Sequence, residues 1–500
     1  MFTIGDFSRL NAQRCPNKAA VLFHDRTLTY AALDVLSNRV AHALMARGLE
    51  CGDRVAIMMF NCPEFVVVSQ AVAKIGAILV PVNTRHATDE IAQLFRHCTP
   101  KLLFVEPDFY DIAAQAGARS VLVPLVKLDS AGLDEFCAGH SGALVERKVA
   151  PESAAAIMYT SGTTGSPKGI VVAHDKYLRI FHAVAIEMEV RERDIFQAVM
   201  PMFHNGGFAS VLNPALMIGA SVSCYGGRFE PERVLRDIER HKVTMTHLVP
   251  TMLDRVTSAA QAGDCDLSSL RKIHYGAMPM TAEILARART VFDVQFFQGY
   301  GTTDAGLIAR LTPEDHDLRP GMTGRPVFNT RSSIVDDDGK PVAVGEVGEV
   351  VVDGSTSGMI GYWHDEAQTG AVIRNGWIHT GDLARREADG FFTLVERRNF
   401  MIISGGENIY PSEVEKVLAR HPLVREVAVF GVPDVNFGEA VCAAVVLAGQ
   451  VSLSVQDVQQ FCDGRLARYK FPRHLVILDE LPRTATGKVA VGQLRGAALK

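Results

Sequence analysis

Between two apolar runs, Ala154 to Met158 and Ile170 to Ala173, stands the segment Tyr159-Thr160-Ser161-Gly162-Thr163-Thr164-Gly165-Ser166-Pro167-Lys168-Gly169. Short apolar runs bounded by turn residues read as strands, so this segment is the loop that joins them. Its glycines let the backbone come close to a ligand. Successive backbone N–H groups, the hydroxyls of Thr160, Ser161, Thr163 and Thr164, and the Lys168 ammonium then surround a polyphosphate. Lys168 is followed by Gly169 rather than by Ser or Thr, so this is not the ordinary P-loop.

Five further stretches carry chemistry. Gly299-Tyr300-Gly301-Thr302-Thr303-Asp304 offers an aromatic face for adenine, hydroxyls for a phosphate and a carboxylate for a metal. It lacks the third glycine of a dinucleotide fingerprint. In Trp377-Ile378-His379-Thr380-Gly381-Asp382-Leu383 a carboxylate follows a glycine, and a carboxylate accepting two hydrogen bonds fits a ribose diol. Met202-Phe203-His204-Asn205-Gly206-Gly207-Phe208 suits a pocket wall that leaves volume for a ligand. Leu481-Pro482-Arg483-Thr484-Ala485-Thr486-Gly487-Lys488 presents a lysine after a glycine, and Ser404-Gly405-Gly406-Glu407-Asn408-Ile409-Tyr410-Pro411 is another glycine-rich turn. Each is weak alone; their joint order is specific.

The elements that position these stretches alternate. Thr29 caps a helix with apolar positions at Leu33, Leu36, Val40 and Leu44. Strands at 54–59, 77–82 and 101–105 alternate with helices at 65–74 and 91–98, which means a mostly parallel sheet covered by helices. Helix 232–241 and strands 243–249 and 270–275 continue the pattern. Past Gly324 come short strands (332–335, 349–352) with Asp338-Gly339 as a turn between them, which reads as a small antiparallel or barrel-like subdomain. After a break near 396–408, helices at 412–421 and 455–466 and strands at 424–430, 440–447 and 474–478 form a compact α+β unit.

Five hundred residues exceed one ordinary core, so two or more domains are expected. A hydrophobic share of 48% with 21% charged residues is that of a globular chain, and the net charge of −5 gives no field for nucleic acid or an anionic membrane. Nine cysteines without a C-x-x-C pair suit a reducing compartment. No signal peptide, membrane-spanning run or peroxisomal address is visible, so the expected location is cytoplasmic.

Taken together, from Leu28-Thr29-Tyr30 to Lys488, the motifs resemble the adenylate-forming superfamily of acyl- and aryl-CoA synthetases, luciferases and peptide-synthetase adenylation domains. The resemblance implies an α/β fold. A large N-terminal domain (1–396) would bind ATP and the acyl group, with its β-rich subdomain at about 325–395. A hinge at 397–400 and a small mobile α+β domain (401–500) would follow. It also implies two half-reactions. A carboxylate attacks the α-phosphate of Mg·ATP, giving acyl-AMP and pyrophosphate; a thiol, usually that of CoA, then displaces AMP. ATP, Mg²⁺ and CoA are the implied cofactors.

Carried over, the 161–169 loop holds the β- and γ-phosphates, and Thr160, Ser161, Gly162, Thr163, Thr164, Gly165 and Lys168 bind the nucleotide. Tyr300 and Gly301, with Gly276-Ala277-Met278, take the adenine side. Thr303 touches the α-phosphate, Asp304 holds Mg²⁺, Asp382 and Arg397 bind ribose, and Lys488 bridges the reacting carboxylate and phosphate. His204 joins the catalytic group. The acyl pocket is expected from His204, Asn205, Gly206, Gly207, His247, Tyr275, Gly306 and Leu307. For CoA, the matching positions are Arg85, Gly405, Gly406, Phe437 and Arg473.

Two positions depart from the family pattern. The metal acid is Asp304 where glutamate is usual. The hinge reads Glu396-Arg397-Arg398-Asn399-Phe400, lacking the usual glycine and placing Asn399 at the pivot. Asn reaches positive φ readily, so rotation remains open to it. Such a hinge also suits an enzyme that makes only acyl-AMP and passes it to a separate thiolation partner. Asn205 stands where amino-acid-activating relatives keep an aspartate, which argues against an amino acid; the absence of arginine from the pocket stretches disfavours a second carboxylate, and Gly206, Gly207 and Gly306 leave volume. The expected substrate is a hydrophobic monocarboxylic acid, either a medium-length fatty acid or a bulky cyclic one. A luciferase-like oxygenase and a non-catalytic ATP-binding module are the remaining readings.

Overall fold

The structure is a computed structural model. It describes residues 2–160, 168–278, 280–404, 407–435, 437–449, 451–463, 465–466, 468–484 and 488–498. The chain divides into two compact units, one of residues 1–332 with 352–379, the other of 333–351 with 380–500. The boundaries at 332/333, 351/352 and 379/380 pass through the β-rich stretch expected at 325–395.

In the first unit, buried strands build two sheets. One, seven-stranded, runs Gly361–Tyr362, Lys168–Ala173, Ala154–Thr160, Ile78–Pro81, Arg54–Met58, Leu102–Val105 and Leu125–Lys127 in spatial order. The other, nine-stranded, has a parallel centre of Ala19–Phe23, Ser221–Cys224, Ile195–Ala198, Met245–Leu248, Lys272–Gly276 and Gln295–Thr302, closed at each end by an antiparallel hairpin. The main core mixes residues of both sheets with helices Tyr30–Ala46, Pro63–Lys74 and His174–Glu187, so these helices fill the layer between the sheets. Every residue of Pro63–Lys74 is buried, as expected of a helix that is apolar all round. Thr29 caps Tyr30–Ala46 as predicted, accepting the Ala32 N–H at 3.2 Å. The outer face of the seven-stranded sheet carries helices Thr88–Cys98 and Tyr110–Ala118, and that of the nine-stranded sheet carries Pro231–His241, Pro250–Ala262 and Ala282–Val291. Among the described residues no helix is long and apolar enough to cross a membrane.

The second unit contains the predicted C-terminal elements. Strands Val424–Asp434 and Gly438–Leu447 form a long antiparallel pair, with His474–Leu478 added in parallel, and helices Pro411–Leu418 and Val455–Cys462 pack against them. Arg398–Phe400, the expected hinge, forms one 3-10 turn. Arg398 ties that turn to Asp337 at 2.8 Å and to Glu349 at 3.7 Å. Glu396, standing where the family keeps glycine, accepts the backbone N–H groups of Arg397 and Ser412, both at 2.9 Å.

Glu415 on helix Pro411–Leu418 accepts the Val429 N–H at 2.8 Å. Burial, with a smaller push from Glu396, raises its carboxyl to about 7 against the opposing Val429 hydrogen bond. A raised folded-state value means the group's stabilising contribution is complete below the ordinary glutamate range and is lost as pH rises toward 7. Glu415→Gln, which keeps the acceptor and never ionises, is expected to leave the unfolding midpoint unchanged at pH 4.5 and to raise it increasingly up to pH 7.5. Thermal unfolding across that range is the check.

Candidate active site

The phosphate segment is a β-hairpin whose arms Ala154–Thr160 and Lys168–Ala173 run antiparallel, with Thr160 opposite Lys168. Ser161, Gly162, Thr163, Thr164 and Gly165 lie outside the described residues. The arms are braced by residues that the motif did not reveal. His97 Nδ1 meets the Tyr159 hydroxyl at 2.7 Å. Gly169 passes under Trp363, where an added Cβ would stand 3.2 Å from the Trp363 Cβ and 2.8 Å from Ile157. The Trp363 N–H donates to the Gly169 carbonyl at 2.7 Å, and the strand Gly361–Tyr362 pairs with Ile170 and Val171.

The second motif is also a hairpin. Gln295–Thr302 returns as Gly306–Leu311, and the turn between them carries Thr303 and Asp304, both half-buried. The Thr302 hydroxyl accepts the Ala305 N–H at 3.0 Å and shapes the turn. Tyr300 is buried on the arm, and a Cβ on Gly301 would collide with the Gly306 carbonyl. The Tyr362 hydroxyl donates to Asp304 Oδ1 at 2.7 Å, and the Asp304 carbonyl accepts the Met359 N–H at 2.7 Å. Among the described residues no cluster of His, Cys, Asp or Glu holds a metal by protein ligands alone. One oriented carboxylate suits Mg²⁺, which commonly takes one or two carboxylates and completes its shell with phosphate oxygens and water. Gly276-Ala277-Met278 ends the neighbouring strand, and Ala277 holds φ at +65°, a left-handed conformation costly for any residue with a Cβ.

The acyl-side residues separate. His204, Asn205, Gly206 and Gly207 open a short helix after strand Ile195–Ala198. The Gly206 N–H donates to His204 Nδ1 at 3.1 Å, and Asn205 accepts the Tyr177 hydroxyl at 3.2 Å. His247 belongs to the face of the nine-stranded sheet that meets the inner helices. Burial, then the nearby His204, lowers its pKa to about 4. Tyr275 does not join this wall. Strand alternation turns it to the outer face, where it packs with helices 231–241, 250–262 and 282–291 and bonds Gln298 at 3.0 Å and His316 at 2.8 Å. Two glycines expected to leave volume serve packing instead. A Cβ on Gly207 would strike the Met200 and Pro201 carbonyls, and one on Gly306 would meet Ile180 and Ser357 at 2.7 and 2.8 Å. At Gly299 a Cβ would meet the flexible ends of Met188 (2.9 Å) and Leu307 (3.2 Å), so the position is filled by side chains that can move. His274, next to His247 on the adjoining strand, was missed altogether. Period-2 alternation with Lys272 was its one sequence signal.

In the second unit, Asp382 and Arg397 stand opposite each other on paired strands, with Arg397 Nε 3.4 Å from Asp382 Oδ1. The Gly381 N–H is held by Glu349 at 2.9 Å. The Lys488 carbonyl accepts the Thr484 N–H at 2.6 Å, beside the antiparallel bridge of Arg483 with Val489. Although the residue as a whole is exposed, the groups around its ammonium desolvate it, and this chiefly lowers its pKa. Arg397 adds repulsion and Asp382 opposes both. The three residues thus share one local field. Of the CoA-side residues, Arg473 stacks its guanidinium 4.0 Å over the Phe437 ring, while Gly405 and Gly406 lie outside the described residues. In the first unit, burial and then Arg228 depress the Arg85 guanidinium. The side chain of Asn399 is likewise outside the description.

Tyr362→Phe removes the donor on Asp304 without changing shape. It is expected to raise several-fold the Mg²⁺ concentration needed for half-maximal pyrophosphate release, at a stability cost of about 1 kcal/mol. A Mg²⁺ titration beside a melting curve separates the two effects.

Residues 8–363 match the AMP-binding enzyme family and residues 413–488 its C-terminal domain. The indoleacetate–CoA ligase of Aromatoleum aromaticum is 38% identical, over 96% of this chain and 95% of that protein. A feruloyl-CoA synthase of an Amycolatopsis species is 34% identical over 98% of both. The crystal structure of the anthranilate CoA ligase AuaEII with anthranoyl-AMP superposes with a TM-score of 0.89 at 28% identity, covering 99% of this chain and 97% of that one. With its two hairpins, Asp304 and the Asp382–Arg397 pair in the expected order, the chain belongs to the AMP-binding family of the adenylate-forming superfamily, as an AMP-forming CoA ligase that uses ATP, Mg²⁺ and CoA.

Proposed function

We propose that this enzyme converts a hydrophobic aromatic monocarboxylic acid to its CoA thioester through an acyl-AMP. The observation that carries the acid's class is the wall at Gly299. Its missing side chain faces only the movable ends of Met188 and Leu307, and Phe297 lies two residues earlier on the same face. A flat ring fits where a Cβ is absent and two flexible side chains can withdraw. The relatives named above act, by name, on indoleacetate, ferulate and anthranilate, all aromatic acids.

In the first half-reaction a carboxylate oxygen attacks the α-phosphorus, and the bond to pyrophosphate breaks. Asp304 would hold Mg²⁺, which would supply positive charge to the phosphate oxygens. The phosphate hairpin aligns the leaving group, Thr303 meets the α-phosphate, and Asp382 with Arg397 holds the ribose. Lys488 bridges the developing charges, and its repulsion from Arg397 is relieved when anionic oxygens arrive. In the second, the CoA thiolate attacks the acyl carbonyl and AMP departs; Arg85, Phe437 and Arg473 are the residues assigned to CoA. The second reading, an acyl-AMP ligase feeding a separate thiolation partner, is favoured only by the hinge, where Glu396 replaces glycine and holds Ser412.

Incubation with Mg·ATP, CoA and a panel of acids, followed by mass spectrometry, separates the two readings. Multiple-turnover thioester formation is expected, whereas acyl-AMP without thioester supports the partner-dependent enzyme. Lys488→Ala is expected to slow pyrophosphate release by about 10²-fold or more. Gly299→Ala is expected to lower kcat/KM for bicyclic aromatic acids by about tenfold while sparing acetate-sized ones.

A further inference from the structure

One aromatic side chain ties the two arms of the phosphate hairpin together at their last rungs. Tyr159 pairs with Gly169 and Thr160 with Lys168. The Tyr159 ring lies across Gly169, where an added Cβ would stand 3.1 Å from its Cζ. Its hydroxyl meets His97 Nδ1 at 2.7 Å, and the two rings approach edge-on with centroids 5.7 Å apart. Burial, with Cys98 adding to it, raises the Tyr159 phenol far above physiological pH, so the hydroxyl keeps its proton. Burial and then His364 lower the His97 pKa, with Asp365 opposing, which favours the neutral ring. A neutral imidazole has one donor and one acceptor nitrogen, and either tautomer makes this bond.

The anchor itself is fixed. His97 stands in the last turn of helix Thr88–Cys98, whose apolar face is buried on the seven-stranded sheet. Arg54 on that sheet holds the end of the helix, donating to the Cys98 carbonyl at 2.8 Å and to the Thr99 carbonyl at 3.0 Å. The same guanidinium lies 5.6 Å over the ring of Trp363, whose Cβ packs on Gly169. The Tyr159 hydroxyl is thus held by a packed helix end, one residue from Thr160 and across from the arm that carries Lys168.

We infer that His97 is a positioning residue for the first half-reaction: through Tyr159 it sets the rung of Thr160 and Lys168 against the outer phosphates of ATP. This rests on the reading of Thr160 and Lys168 as phosphate ligands and adds the group that aims them. Lysine offers a point charge on a flexible stem, so its use in aligning a leaving group depends on how firmly its backbone is held. AMP lacks both outer phosphates. His97 therefore matters to ATP and not to AMP, a difference that a histidine serving only the stability of the fold does not produce.

The test is calorimetric binding of Mg·ATP and of AMP to the full chain, beside melting curves. His97→Phe is expected to weaken Mg·ATP by roughly five- to tenfold, the scale of one lost hydrogen bond, and to leave AMP within about twofold. Tyr159→Phe, which deletes only the hydroxyl, gives the same result and carries the test where His97→Phe folds poorly. The double variant is no weaker than either single one, because both remove one interaction. His97→Gln, which keeps a donor and an acceptor, restores most of the ATP affinity. In turnover the loss is a raised KM for ATP in pyrophosphate release, while thioester formation from supplied acyl-AMP and CoA keeps its rate. Unchanged Mg·ATP affinity in His97→Phe and Tyr159→Phe, where Lys168→Ala weakens it, overturns the inference and leaves the phosphate reading standing. Equal loss of ATP and AMP affinity with a lowered melting temperature also overturns it, as the mark of a purely structural histidine. Unchanged Mg·ATP affinity in Lys168→Ala overturns the phosphate reading and the inference with it.

Discussion

The contact on which the first unit's chemistry depends is the short strand Gly361–Tyr362 laid along the exit arm of the phosphate hairpin. Its backbone pairs with Ile170 and Val171, the next N–H fixes Gly169, and the Tyr362 hydroxyl reaches Asp304 on the other sheet. Phosphoryl and nucleotidyl transfer asks little covalent chemistry of a protein and much alignment. One dipeptide thereby sets the hairpin arm Lys168–Ala173 and the Asp304 carboxylate with respect to each other. The half-buried tyrosine donor also explains how an aspartate, one methylene shorter than glutamate, is kept in a defined orientation.

The second unit uses electrostatic tension in place of fixed alignment. Desolvation is the chief cost of the charged Lys488 ammonium, Arg397 adds repulsion, and Asp382 opposes both. Such an arrangement is most favourable when anionic oxygens occupy it. Binding energy is then spent where charge develops, which is the condition for raising a rate instead of merely tightening ground-state binding. The hinge departs from the family pattern in a way that adds ties: Glu396 to Ser412, and Arg398 to Asp337 and Glu349.

Much of this was legible in the sequence because its signals were local. The apolar runs on either side of Tyr159–Gly169 gave the arms of that hairpin, apolar periodicity gave the alternating strands and helices, and Thr29 announced its cap. What escaped depends on which face a strand turns. Tyr275 and His274 are adjacent, yet pairing and layer order send Tyr275 to the outer helices and His274 to the inner layer. Glycines misled in the same way. Gly207 and Gly306 resemble space in a sequence, but neighbouring carbonyls and side chains fill that space, whereas Gly299 borders movable side chains. Tyr362 lies 58 residues from Asp304, and Trp363 is farther still from Gly169, beyond the reach of any local pattern.

The central claim is that the acid is activated by attack on the α-phosphorus of ATP. A carboxylic acid labelled with ¹⁸O in both carboxyl oxygens, turned over with Mg·ATP and CoA, tests it directly by mass spectrometry of the nucleotide products. The account predicts one labelled oxygen in AMP and none in pyrophosphate. Label in inorganic phosphate, with ADP as the nucleotide product, would mean an acyl phosphate route and would contradict it.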